Sequence, residues 1–89
     1  MTDVNEILNE RGTTYGKFID NATVAQELKD RVETTPNWVI AEYDQQEALH
    51  MICSKISRLT TGDINHIDSW RDVAGYATLV ADRLEGVER

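Results

Sequence analysis

The charges able to do chemistry in this sequence lie on two segments. Over residues 44–61, Ala48, Met51, Ile52, Ile56 and Leu59 recur at steps of three and four, and Lys55 falls inside that apolar arc. Its stem can pack while the ammonium reaches the rim or meets a carboxylate, or the ammonium can contact a ligand. Arg58, one turn later at the edge of the arc, adds a second cation, and a local positive pair is a natural anion seat in a chain of net charge −7. Taken alone, Arg58 also reads as a solvated surface residue. Over residues 68–84, Asp68 and Asp72 stand four apart and repel unless a cation lies between them, which could be Arg71, Lys55 or a divalent metal. Lys55 and Asp72 are each the charge that most disturbs its own helix, so the two are expected to pair.

The expected ligand site comprises Lys55, Arg58, Asp72 and Tyr76, with Arg11, Thr14 and Tyr15 contributed by the turn Arg11–Gly16, whose backbone N–H groups would add donors for a phosphate. Other chemistry is thinly represented. His50 and His66 have no metal-ligand spacing, Cys53 lacks a basic neighbour that would activate its thiol, and neither a Walker-type phosphate loop nor a nucleophile motif is present. Trp38, Tyr43, Trp70 and Tyr76 read as core anchors, with stacking on a nucleobase as the alternative use.

Four helices are predicted to position these groups, giving an all-α bundle. The first carries Val4, Ile7 and Leu8, is capped by Thr2 or Asp3 and ends before Gly12. The second carries Phe18, Ala22, Ala25, Leu28 and Val32 and stops near Thr34, ahead of Pro36. The third spans about 44–61, opened by a capping box from Asp44 to Glu47 and closed by Gly62 in a left-handed conformation. The fourth starts with Asp68 as N-cap and runs through Trp70, Val73, Ala74, Ala77, Val80, Ala81 and Leu84 to Gly86. Gly75 inside it costs about 1 kcal/mol relative to alanine, a cost often accepted where another backbone comes close. Gly75 reads as a packing glycine and Leu79 as a scattered exposed apolar residue, or the two together mark a subunit contact, and the expectation is a homo-oligomer.

Eighty-nine residues allow a single domain, 1–89, with 1–10 and 86–89 as the segments expected to fray. Sixteen acidic against nine basic residues argue against duplex nucleic acid as a partner. One cysteine allows no internal disulfide, and the first residues carry neither a basic n-region nor an apolar run, so the expectation is a cytoplasmic protein with no membrane span.

Arg11-Gly12-Thr13-Thr14-Tyr15-Gly16 with Phe18, then Pro36-Asn37-Trp38, Gln46 to Ile52 with Lys55-Ile56, Gly62-Asp63, and the run Asp68-Ser69-Trp70-Arg71-Asp72-Val73-Ala74-Gly75-Tyr76-Ala77 resemble a family of small bacteriophage proteins over residues 11–80. The Asp68–Tyr76 run after a helix bearing Glu47 and Lys55 is also similar to the MazG-type all-α nucleotide pyrophosphohydrolases and to nucleotide-modification-associated phage domains. That likeness implies an oligomeric helical bundle in which carboxylates hold magnesium against a nucleoside triphosphate, and it would make Glu47, Asp68 and Asp72 the metal ligands. The chain departs from the enzymes' paired motifs, Glu-x-x-Glu and Glu-x-x-Asp. His50 stands three residues after Glu47, and Ser69 three before Asp72.

The first functional expectation is therefore a phage accessory protein in the host cytoplasm that binds a nucleotide or nucleotide-derived signal without turning it over, as a counter-defence sponge would. The alternatives are a magnesium-dependent pyrophosphohydrolase and an acidic inhibitor that docks on a host protein.

Overall fold

The computed structural model describes residues 3–89. Among them the chain forms four helices and no strands: α1 (Val4–Tyr15), α2 (Phe18–Glu33), α3 (Tyr43–Thr61) and α4 (Ile67–Leu84). Helix α3 is the spine. It packs against α2 on one side and α4 on the other, and those two flanking helices do not touch. The result is an open layer of helices, with α1 laid across the α2–α3 corner. The apolar side chains buried among the described residues are Ala25, Ala48, Cys53 and Leu59.

Several boundaries differ from the sequence-based expectation. Helix α1 does not stop before Gly12 but continues to Tyr15, and the Gly16 N–H donates to the Gly12 carbonyl at 3.0 Å. Asp3 is its cap, its carboxylate accepting from the Asn5 N–H at 3.0 Å; the alternative cap, Thr2, lies outside the described residues. Helix α3 begins one residue early because the capping box is formed by Glu42 and Gln45, not by Asp44 and Glu47. The Gln45 side-chain oxygen accepts from the Glu42 N–H at 2.8 Å. In α4, His66 takes the N-cap position, its Nδ1 2.8 Å from Ser69 Oγ. Asp68 is thus an exposed first-turn carboxylate, still favoured by the helix dipole.

The C-terminus of α4 closes with Gly86 at φ +86. Gly86 N–H donates to Arg83 and Val87 N–H to Asp82, the paired bonds of a Schellman motif. The tail folds back from there, with the Arg89 guanidinium 2.7 Å from the Asp82 carboxylate.

Two glycines decide how the α1–α2 corner meets α3. A Cβ on Gly16, which sits at φ +80, would lie 2.0 Å from the Thr61 carbonyl oxygen, and one on Gly62 would lie 2.3 Å from the Thr14 carbonyl oxygen. Gly62 is at φ −126, not left-handed, so its requirement is space for a neighbouring backbone. Around this joint the Asp63 N–H donates to the Thr14 carbonyl at 2.7 Å and the Thr61 hydroxyl to the Tyr15 carbonyl at 3.0 Å. Ser57, fully buried on α3, donates to the Asn21 backbone carbonyl at 2.5 Å and its side-chain oxygen at 2.6 Å. Those bonds tie α2 to α3 with every buried polar side-chain atom satisfied among the described residues.

Candidate functional site

The corner fixed by Gly16 and Gly62 holds a pocket of about 580 Å³ lined by Leu8, Arg11, Tyr15, Phe18, Asn21 and Arg58, together with Gly12 and Gly16. Tyr15 is its centre. The Arg58 guanidinium lies over the Tyr15 ring at 4.9 Å, and the His66 ring meets the same ring edge-on at 5.4 Å. The ring face attracts the cation, and the guanidinium N–H groups make no hydrogen bond to another side chain among the described residues. Among the described residues, neither Arg11 nor Arg58 is in an ion pair. The pocket wall therefore combines two uncompensated cations with exposed aromatic surface, Phe18 being 84% exposed.

The remaining expected site residues fall into three places. Lys55 Nζ is 3.0 Å from Asp72 Oδ2 across the α3–α4 seam, as their shared disturbance of the two helical patterns predicts. The lysine is 12% exposed and the aspartate 48%, so the pair neutralises a largely sheltered ammonium at the rim. Tyr76 lies further along the seam, lining a second hollow with Glu47, Leu79 and Arg83. Thr14 contributes its carbonyl to the corner joint and does not line the corner pocket. The expected cradle of turn N–H groups is absent as well, because α1 absorbs Gly12 to Tyr15 and uses their amides in its own ladder.

Glu47, Asp68 and Asp72 do not converge. Among the described residues no three His, Cys, Asp or Glu side chains group closely enough to hold a metal ion.

Pattern reading missed several parts of the corner. His66 had no sequence signal beyond being a histidine before a helix, and its contact with Tyr15 depends on the tertiary fold. Asn21 and Ser57 were equally silent, since a buried hydroxyl on α3 is legible only once its partner on α2 is known. At the far end of α3, Arg83 forms a two-pronged pair with Asp44, at 2.7 and 2.6 Å, and also reaches Glu42 at 3.3 Å. The Arg83 hydrogen bonds hold the Asp44 carboxyl below its ordinary range. Burial pushes the Cys53 thiol up, which keeps it protonated and unreactive.

A family model described as a domain of unknown function (DUF6378) matches residues 1–84, and the chain belongs to that family. No curated protein and no solved structure matches the chain.

Proposed function

We propose that this member of the DUF6378 family binds a small phosphate-bearing ligand, a nucleotide or nucleotide-derived signal, in the corner pocket between α1, α2 and α3. The observation that carries this reading is the pair of arginines, Arg11 and Arg58, both without a carboxylate partner among the described residues and both lining one aromatic-walled pocket. In a chain of net charge −7 a polyanion is repelled elsewhere and drawn to such a spot. Arg58, lying over the Tyr15 ring, can grip two phosphate oxygens at once, while Tyr15 and Phe18 offer ring surface to a base. Helix α2 starts beside the same pocket with no side-chain cap, and the positive end of its dipole favours an anion there. The pocket volume of about 580 Å³ is in the range of small-ligand sites.

The binding reading is preferred over hydrolysis because the carboxylates that a magnesium-dependent pyrophosphohydrolase needs are dispersed. The setting it implies is the host cytoplasm, where a phage accessory protein would sequester a nucleotide-derived signal; the resemblance of the Asp68–Tyr76 run supports that extension. Among the described residues no helix is long and apolar enough to cross a membrane.

Native mass spectrometry of the protein, incubated with a nucleotide pool with and without magnesium, tests the proposal. A retained nucleotide that is lost in the Arg11→Ala, Arg58→Ala double variant is the expected result, with circular dichroism showing the variant still helical. A folded double variant that retains the same nucleotide would overturn it, and product release in magnesium would replace binding with catalysis.

A further inference from the structure

We propose that the apolar face of the α3–α4 layer is covered in solution by the same face of a second copy of this chain. At about 100° per residue, the side of α4 turned to α3 carries Ser69, Val73, Tyr76 and Val80. Immediately beside it runs a second, uncharged stripe of Ile67, Trp70, Ala74, Ala77, Ala81 and Leu84, every one of them exposed. Helix α3 therefore covers only half of α4's apolar arc. The stripe continues through Ala77 into a groove of about 540 Å³ lined by Leu49 and Ile52 of α3 and by Trp38 and Ile40 of the preceding loop.

The surface area says how much is missing. A compact monomer of this mass exposes about 5,300 Å², whereas this chain exposes 6665 Å². Its radius of gyration is 15.1 Å, against about 12 Å for a compact chain of equal length. A standard interface removes about 800 Å² from each partner, so the excess is large enough to supply one.

Two observations select a second copy as the occupant. Ala25, Ala48, Cys53 and Leu59 are the only buried apolar side chains among the described residues, and so thin a core gains most from a cover that is present on every molecule. Between two chains of net charge −7, an uncharged face is also where approach costs least. An isologous two-fold contact buries both stripes at once, with Ala74, Ala77 and Ala81 letting the α4 backbones come close. Leu79 and Gly75, the residues whose pattern first suggested self-association, lie off this stripe; nothing comes within 4 Å of a Cβ placed on Gly75.

Sedimentation equilibrium of the full chain tests this, with a mass of at least twice 10.1 kDa expected for the wild type and a single chain mass for Ala77→Arg. A wild-type monomer at all micromolar concentrations, or an Ala77→Arg variant that keeps the wild-type mass, would overturn the proposal. If Ala77→Arg unfolds, carbene footprinting of the wild type decides. Protection of Ile67, Trp70 and Leu84, each more than half exposed in the single chain, while Phe18 is labelled supports the pairing, and labelling of all four contradicts it.

Discussion

The two faces of the α3–α4 layer are built on different terms. On the charged face the central side chains have partners within the chain: Lys55 pairs with Asp72, Tyr15 is flanked by Arg58 and His66, and the joint below them is locked by backbone contacts. On the apolar face, Leu49, Ala74, Ala77 and Ala81 have no such partners and stay exposed. The charged face is thus held in place by contacts within the chain, whereas the apolar face lies exposed. A small chain can afford both because one helix, α3, serves as the shared wall.

The largest expected effect comes from breaking the joint that holds the charged face in place. Gly16→Val forces a β-branched residue to φ +80 and drives its Cβ into the Thr61 carbonyl, a combination expected to cost about 3 kcal/mol or more. Urea denaturation monitored by circular dichroism measures it, and a loss below about 1 kcal/mol would show that the corner is not held by this contact.

Next in size is the loss of ligand grip. Arg58→Ala removes a charge-assisted hydrogen-bonding fork worth about 1.5–3 kcal/mol, so ATP affinity measured by isothermal titration calorimetry should fall roughly tenfold to a hundredfold. The oligomeric mass should not change, since Arg58 stands on the other face. A variant that alters mass and leaves ATP binding intact would reverse the roles given to the two faces.

Smaller still is the Lys55–Asp72 pair. With Asp72 half-exposed, solvent screening limits the pair to about 1 kcal/mol. Lys55→Met, which keeps the stem, should therefore destabilise by no more than that in the same urea titration, and Asp72→Asn by a similar amount. A double-mutant cycle with coupling near zero would remove the pair from the account of the seam.

The smallest effect is a pH dependence at the distal end of the seam. Arg83 holds Asp44 below its ordinary 3.8 in the folded chain. A carboxylate depressed by folding contributes stability that is complete above its unfolded value and is lost as pH falls through the folded one. Stability should thus be insensitive to this pair at neutral pH and decline below about pH 4, with the decline flattened in Arg83→Met. An equal acid slope in wild type and variant would assign the loss to other carboxylates.

Legibility of these features in the sequence follows their range. The four helices, the stop near Thr34 and the Lys55–Asp72 pair were readable because each depends on periodicity or on a charge out of place within one helix. The caps slid by two residues where local competitors stood close together, as with Glu42 beside Asp44 and His66 beside Asp68. Gly12 misled most. A glycine at a helix end and one inside a helix look alike in sequence, and only the backbone contact of Gly16 on Thr61 sets the end at Tyr15. The assembly of the corner pocket was partly legible, since Arg11, Tyr15 and Arg58 were singled out, but His66 and Asn21 reach it through contacts more than 30 residues apart in the chain.

Ligand binding and self-association are proposed on distinct faces, and side-chain NMR of the labelled protein during an ATP titration tests that separation most directly. The account predicts shifts of the Arg11 and Arg58 guanidinium and Tyr15 ring resonances, with the Leu49, Ile52 and Ala77 methyls unmoved. Shifts confined to those methyls, or no shift at either arginine, would contradict it.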